Sequence, residues 1–191
     1  DGKWFIVPPA AMVTTDNVNY QTQGLTFVPA DDWSSWSNNK QPLHFQVQLQ
    51  VGVTEGTPPP AVTGDLAITV QGIADKPLWD AASTHQHYST GEDSSGIALN
   101  MKASLTDTDG SETLSYQIKW ESGLGSLTLN GKVLQPGSNG LYTVTAGDIN
   151  KITVLPGKDY SGDIRLTVTP VSTEKSPVVS GQNKALGDPL D

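Results

Sequence analysis

The sequence predicts an all-β chain built from antiparallel β-sandwich units in tandem. Three observations lead there. Helical periodicity is almost absent. Apolar and polar residues alternate with period two over several stretches, and glycine, proline and Asn-Gly turn signals separate those stretches.

Taken in order, Phe45-Gln-Val47-Gln-Leu49-Gln-Val51-Gly-Val53 is apolar at every second position, the pattern of a half-buried antiparallel strand. Leu66-Ala-Ile68-Thr-Val70, Ile97-Ala-Leu99-Asn-Met101-Lys-Ala103-Ser-Leu105 and Ile164-Arg-Leu166-Thr-Val168 repeat it. Leu127-Thr-Leu129-Asn130-Gly131-Lys-Val133 predicts a hairpin, because Asn-Gly tolerates the two positive φ angles of a type I′ turn. Asp1-Gly2 and Asn139-Gly140 each precede a further strand. Thr57-Pro58-Pro59-Pro60 is a stiff connector, since proline cannot donate to a ladder. Asp75-Lys76-Pro77 follows a finished strand, and the domain boundary is expected there, giving a partial unit at 1–75 and a second unit at 76–191.

Composition narrows the function. The chain has 191 residues, enough for one large β domain or two small sandwiches, with 36% apolar residues and a net charge of −9. That charge repels phosphate backbones and anionic lipid, so nucleic acid and membrane surfaces are poor partners. Surplus carboxylates call for cations, a divalent metal first. There is no cysteine, which excludes a disulfide framework, a zinc-thiolate site and a cysteine nucleophile. No apolar run approaches a membrane span, and there is neither an initiating methionine nor a targeting stretch, so the chain reads as a monomeric piece of something longer.

The two halves resemble each other. Asp1-Gly-Lys-Trp4 matches Asn139-Gly-Leu-Tyr142, Leu25-Thr-Phe-Val-Pro29 matches Ile152-Thr-Val-Leu-Pro156, and Asp32-Trp33-Ser34 matches Asp159-Tyr160-Ser161. The alternating strand ending Thr54-Glu55 matches the one ending Thr173-Glu174, and Gly64-Asp65-Leu66 matches Gly187-Asp188-Pro189. The repeat is domain-sized, which favours tandem domains or two ends completing one composite sandwich.

The chemistry concentrates in Asp107-Thr-Asp109-Gly110-Ser-Glu112, between two strand patterns. Calcium takes several oxygens in loose geometry. Asp107 and Asp109 at i and i+2 reach one ion from a loop, Gly110 allows a sharp turn that aims a carbonyl inward, and Glu112 adds one or two oxygens. Asp75 at the boundary and Glu92 (beside Asp93) are expected co-ligands in a site that stiffens the junction. The bland alternative is an acidic turn without metal.

Residues 74–174 resemble the Ig-like (cadherin-like) repeats of RTX adhesins of Gram-negative bacteria. The motifs that carry the likeness are Glu92-Asp93, Ile97-Ala-Leu99-Asn, Leu105-Thr-Asp107-Thr-Asp109-Gly-Ser-Glu112-Thr-Leu114-Ser, Pro156 with Asp159-Tyr-Ser-Gly162, and Val171-Ser-Thr-Glu174. The resemblance implies an Ig-like fold, Ca2+ at interdomain junctions, type I secretion, display on the cell surface, neighbouring Ig-like domains of the same adhesin as partners, and a role in adhesion and biofilm formation. It also makes a split domain carrying an inserted ligand-binding domain an alternative. The stretches 80–88 and 31–40 look longer than the family pattern.

Other constellations are weaker. His85 and His87 could share a strand face as metal ligands, but the only further histidine, His44, sits on an alternating strand, and a polar loop is the plainer expectation. Trp33 and Trp36 lie in a polar loop where tryptophan could stack on a glycan or meet a cell-surface ligand, against a packing role like that of Tyr160. Trp4, Trp79 and Trp120 are expected in the core or at its rim. No nucleophile elbow, phosphate loop or histidine with an acid partner is present, so a non-enzymatic role is expected.

Overall fold

A computed structural model describes residues 27–36, 39–49, 56–57, 60–83, 87–175 and 178–191. The chain divides into two compact units, Asp1–Ala30 and Asp31–Asp191. In the first, only 27–30 are described, as irregular chain. Trp4, the Asp1-Gly2 turn, Val51, Val53, Glu55 and His85 lie outside the described residues. The boundary expected at residue 75 falls inside the second unit.

That unit is all-β. Its strands are β1 (Leu43–Leu49), β2 (Val62–Ile68), β3 (Leu78–Trp79), β4 (Ile97–Ala98), β5 (Ala103–Ser104), β6 (Glu112–Ser122), β7 (Gly125–Leu129), β8 (Lys132–Val133), β9 (Leu141–Thr145), β10 (Ile152–Pro156), β11 (Arg165–Glu174) and β12 (Lys184–Leu186). Short 3-10 turns occupy Ala81–Ser83 and Ile149–Lys151. One antiparallel sheet has the order β4-β10-β7-β8 and another β12-β11-β6-β9; β1-β2 and β3-β5 form two-stranded ribbons.

Alternation explains the core. Along β6, Glu112, Tyr116 and Ile118 are buried with Leu114 and Trp120 half-buried between and beyond them, all on one face. Ile118 of β6 and Val168 of β11 meet Leu127 of β7 and Ile152 of β10, together with Leu99, Met101, Val144 and Ile149. Trp79 and Trp120 pack against this cluster, as core-rim residues. The predicted hairpin forms β7–β8, with Asn130 at φ 51° and Gly131 at φ 77° between paired Leu129 and Lys132.

The stretch from Ile97 to Leu105 departs from expectation. Leu99, Met101 and Ala103 are all buried, as alternation predicts. Yet the stretch is not one strand: it pairs with β10 at Ile97–Ala98 and with β3 at Ala103–Ser104. The backbone groups freed by the change of partner are taken up locally. Met101 N–H donates to Asn150 Oδ1 at 3.0 Å, and Ala103 N–H to the buried Tyr116 hydroxyl at 2.8 Å.

Candidate metal centre

β6 and β11 are antiparallel, and their register ends with Glu112 directly opposite Glu174. Both follow the inward phase of their strands, so both carboxylates are buried, each residue 5% exposed. Like charges directly opposite on one sheet face are destabilising. Glu112 Oε1 accepts the Asp75 N–H at 2.5 Å. Its Oε2, the Glu174 Oε1 and the Ser172 hydroxyl are buried without a well-aligned hydrogen bond among the described residues, although the Ser172 hydroxyl lies near enough to Glu112 to oppose the rise in its pKa. Native interiors rarely leave such atoms unpaired, and an ion is one resolution.

Asp107 completes the arrangement. Carboxylate oxygens of Asp75, Asp107 and Glu112 lie within 4.8 Å of one another and could hold a metal ion. Ser111, fully buried, bridges Asp107 Oδ2 and Glu174 Oε2, each at 3.0 Å. One hydroxyl has one proton, so it serves only one of these oxygens at a time. Burial pushes Asp75, Asp107, Glu112 and Glu174 above the ordinary carboxyl range, and neighbouring carboxylates add to the rise. The donors are all oxygen, the preference of hard divalent cations rather than of zinc or copper.

The remaining predicted residues have other partners. Asp109 Oδ1 accepts the Ser111 N–H at 2.6 Å, and its Oδ2 accepts the N–H and hydroxyl of Ser34, both at 3.0 Å. Burial raises its pKa, but the hydrogen bonds from Ser111 and Ser34 outweigh burial and hold the carboxyl at about 2. Asp109 therefore braces the 31–36 loop against the acidic turn. Gly110 makes the expected turn at φ 80°, but its carbonyl accepts Lys175 Nζ at 2.6 Å instead of facing the carboxylates. The cause is Glu174: once that residue turns inward, the adjacent Lys175 projects to the opposite side, over Gly110.

Glu92 stands apart, exposed on the rim of a cavity with Tyr160, Gly162 and Asp163. That cavity adjoins the Arg165 end of β11, whereas the carboxylates lie at its Glu174 end. The ten residues of β11 separate the two by roughly 30 Å. Sequence proximity to the Ile97 strand placed Glu92 beside the boundary; the sheet carries it to the other end.

Glu174 is the residue that sequence reasoning did not name as a ligand candidate, having matched it only as a repeat marker and as part of the Val171-Ser-Thr-Glu174 motif. The available signal was its place as the last inward position of an alternating strand, where an apolar residue is expected. Gly72 shapes its pocket, since a Cβ there would collide with the Glu174 carboxylate. The connector 70–75 is stapled on several sides. Val70 N–H donates to Ser35 Oγ at 2.9 Å, Ser35 N–H donates to Val70 O at 3.0 Å, and Val179 N–H donates to Gly72 O at 3.0 Å. Among the other aromatic and histidine candidates, Trp36 is half-buried with Lys40 and Lys175 ammonium groups 4.4 and 4.9 Å from its ring, Trp33 is half-buried, and His87 is exposed. No described helix is long and apolar enough to cross a membrane.

Comparison with protein-family profiles, curated proteins and solved structures finds no match to this chain.

Proposed function

We propose that this chain is a calcium-binding, non-enzymatic structural module of a secreted bacterial surface adhesin, an Ig-like β-sandwich in which the ion stiffens the connector at residues 70–75. One observation carries the metal assignment. Glu112 and Glu174 face each other in register, buried, each with an oxygen that has no well-aligned hydrogen-bond partner among the described residues, beside Asp107 and Asp75. A divalent cation relieves the like-charge pair and supplies the missing partner at once. Calcium suits a donor set of carboxylates held on a loop, two strand ends and a connector, because it accepts six to eight oxygens in flexible geometry. Asp75, Asp107, Glu112 and Glu174 would hold it.

The position of the site supports a mechanical role. Asp75 belongs to the connector, Glu112 and Glu174 to the second sheet, and Asp107 to the turn that Asp109 ties to the 31–36 loop. An ion bound here crosslinks four segments. The adhesin context rests on the sequence resemblance.

The test is thermal melting with calcium and with chelator. At free calcium 100-fold above Kd, a ligand that binds only the folded state adds about 2.7 kcal/mol. For a chain of this size that is a rise of roughly 5–11 °C. An unchanged melting temperature would overturn the assignment.

A further inference from the structure

The 31–36 loop belongs to no strand, yet Ser34 and Ser35 within it are buried. Among the described residues its tertiary hydrogen bonds end on two segments, and each of these carries a carboxylate of the candidate site. Ser34 gives its N–H and its hydroxyl to Asp109 Oδ2 in the acidic turn, and Asp109 in turn gives its N–H to Asp107 Oδ1 at 2.7 Å. Ser35 exchanges bonds with Val70, at the head of the connector that ends in Asp75. Its N–H donates to the Val70 carbonyl at 3.0 Å, and its hydroxyl accepts the Val70 N–H at 2.9 Å. A third tie is aromatic. Lys175, next to Glu174, donates its N–H to Ser111 O at 2.9 Å and sets its ammonium 4.9 Å from the Trp36 ring.

The loop therefore spans the turn and the connector. It keeps both anchors only while those two segments hold their spacing, and the carboxylates control that spacing. Without an ion, Asp75 on the connector repels Asp107 and Glu112, since oxygens of all three lie within 4.8 Å of one another. With an ion, the same oxygens share one centre, and turn and connector are drawn together. Loop closure and ion occupancy are then linked. Linkage is reciprocal: the factor by which the ion favours closure is the factor by which closure favours the ion.

We propose, resting on the calcium reading of this site, that the 31–36 loop is a calcium-dependent strap. It is closed on Asp109 and Val70 when the site is filled and released when the site is empty. Trp36 moves with the strap, so the surface that it forms with Lys175 exists only in calcium.

The test is amide hydrogen exchange of the full chain, with calcium and with chelator, beside calorimetric titration of calcium. In chelator the Ser34 and Ser35 amides should exchange by local opening, at least about tenfold faster than the amide of Ile118, a fully buried residue of β6. Calcium should slow them at least about tenfold. Ser34→Ala removes one of the two bonds to Asp109 and, by reciprocity, should weaken calcium binding about fivefold or more. Calcium that binds wild type but leaves Ser34 and Ser35 exchange unchanged overturns the strap alone, and so does an unchanged affinity in Ser34→Ala. Wild type that takes up no calcium overturns the metal site and the strap with it.

Discussion

Replacing Glu174 with glutamine should change stability in opposite directions with and without calcium. The substitution keeps size and shape beside Gly72 while removing one charge. In chelator, wild-type Glu112 and Glu174 are opposed on one buried sheet face. Side chains directly opposite have Cβ atoms about 5 Å apart. At that separation and an effective dielectric of about 20, two unit charges repel by about 3 kcal/mol. Burial has already raised both carboxyls, so part of that repulsion is relieved by protonation. The amide can also donate to Asp107 or to Glu112 Oε2. E174Q should therefore melt at least about 3 °C above wild type in chelator. In calcium the order reverses. Wild type gains about 2.7 kcal/mol at 100-fold excess over Kd, and the variant, with one carboxylate fewer, loses most of that gain. The assay is differential scanning calorimetry of both chains with and without chelator. If E174Q lowers the melting temperature equally in both conditions, the glutamate is an ordinary structural group and the site assignment fails.

Three further predictions follow from neighbouring contacts. Gly72→Ala places a Cβ on the Glu174 carboxylate and should weaken calcium binding at least about tenfold by calorimetric titration; an unchanged affinity would show that Glu174 does not ligate. The raised carboxyls of Asp75, Asp107, Glu112 and Glu174 give a pH dependence of definite sign. Groups whose folded pKa lies above the unfolded value contribute stability that is complete below the unfolded pKa and is lost as pH rises through the folded pKa. In chelator the melting temperature should rise as pH falls from neutral toward the ordinary carboxyl range; in calcium it should fall, because protons compete with the ion. Asp109 lies outside this window, since at about 2 its contribution is lost only at more acid pH. Parallel melting curves in the two conditions would contradict the cluster. Tyr116→Phe leaves the buried Ala103 N–H without its acceptor and should cost about 1–3 kcal/mol in urea unfolding, equally with and without calcium. A loss confined to one condition would mean that this hydrogen bond is coupled to the site.

Local physics made much of the fold legible in advance. The type I′ hairpin at Asn130-Gly131 depends only on which residues tolerate positive φ, and the inward face of β6 only on period-two alternation. The sharp turn at Gly110 is local as well. Legibility ended wherever a position depended on a distant partner. The alternation of Leu99, Met101 and Ala103 correctly marked them as buried, but it could not show that the segment leaves β10 for β3 midway. Asp109 and Glu92 were grouped with the site because they are near it in sequence or carry the right charge. One is held by Ser34, and the other lies at the far end of β11.

Sequence alone determined that the chain is all-β, cysteine-free and acidic, with carboxylates gathered at the Asp107–Glu112 turn, because those properties are sums over residues or consequences of adjacent ones. Only the tertiary structure decided which carboxylates come together. Glu112 and Glu174 are 62 positions apart in the chain and meet because the β6–β11 register makes them partners. Register is set by the whole apolar pattern of two strands, and a slip of one residue would turn Glu174 to the opposite face.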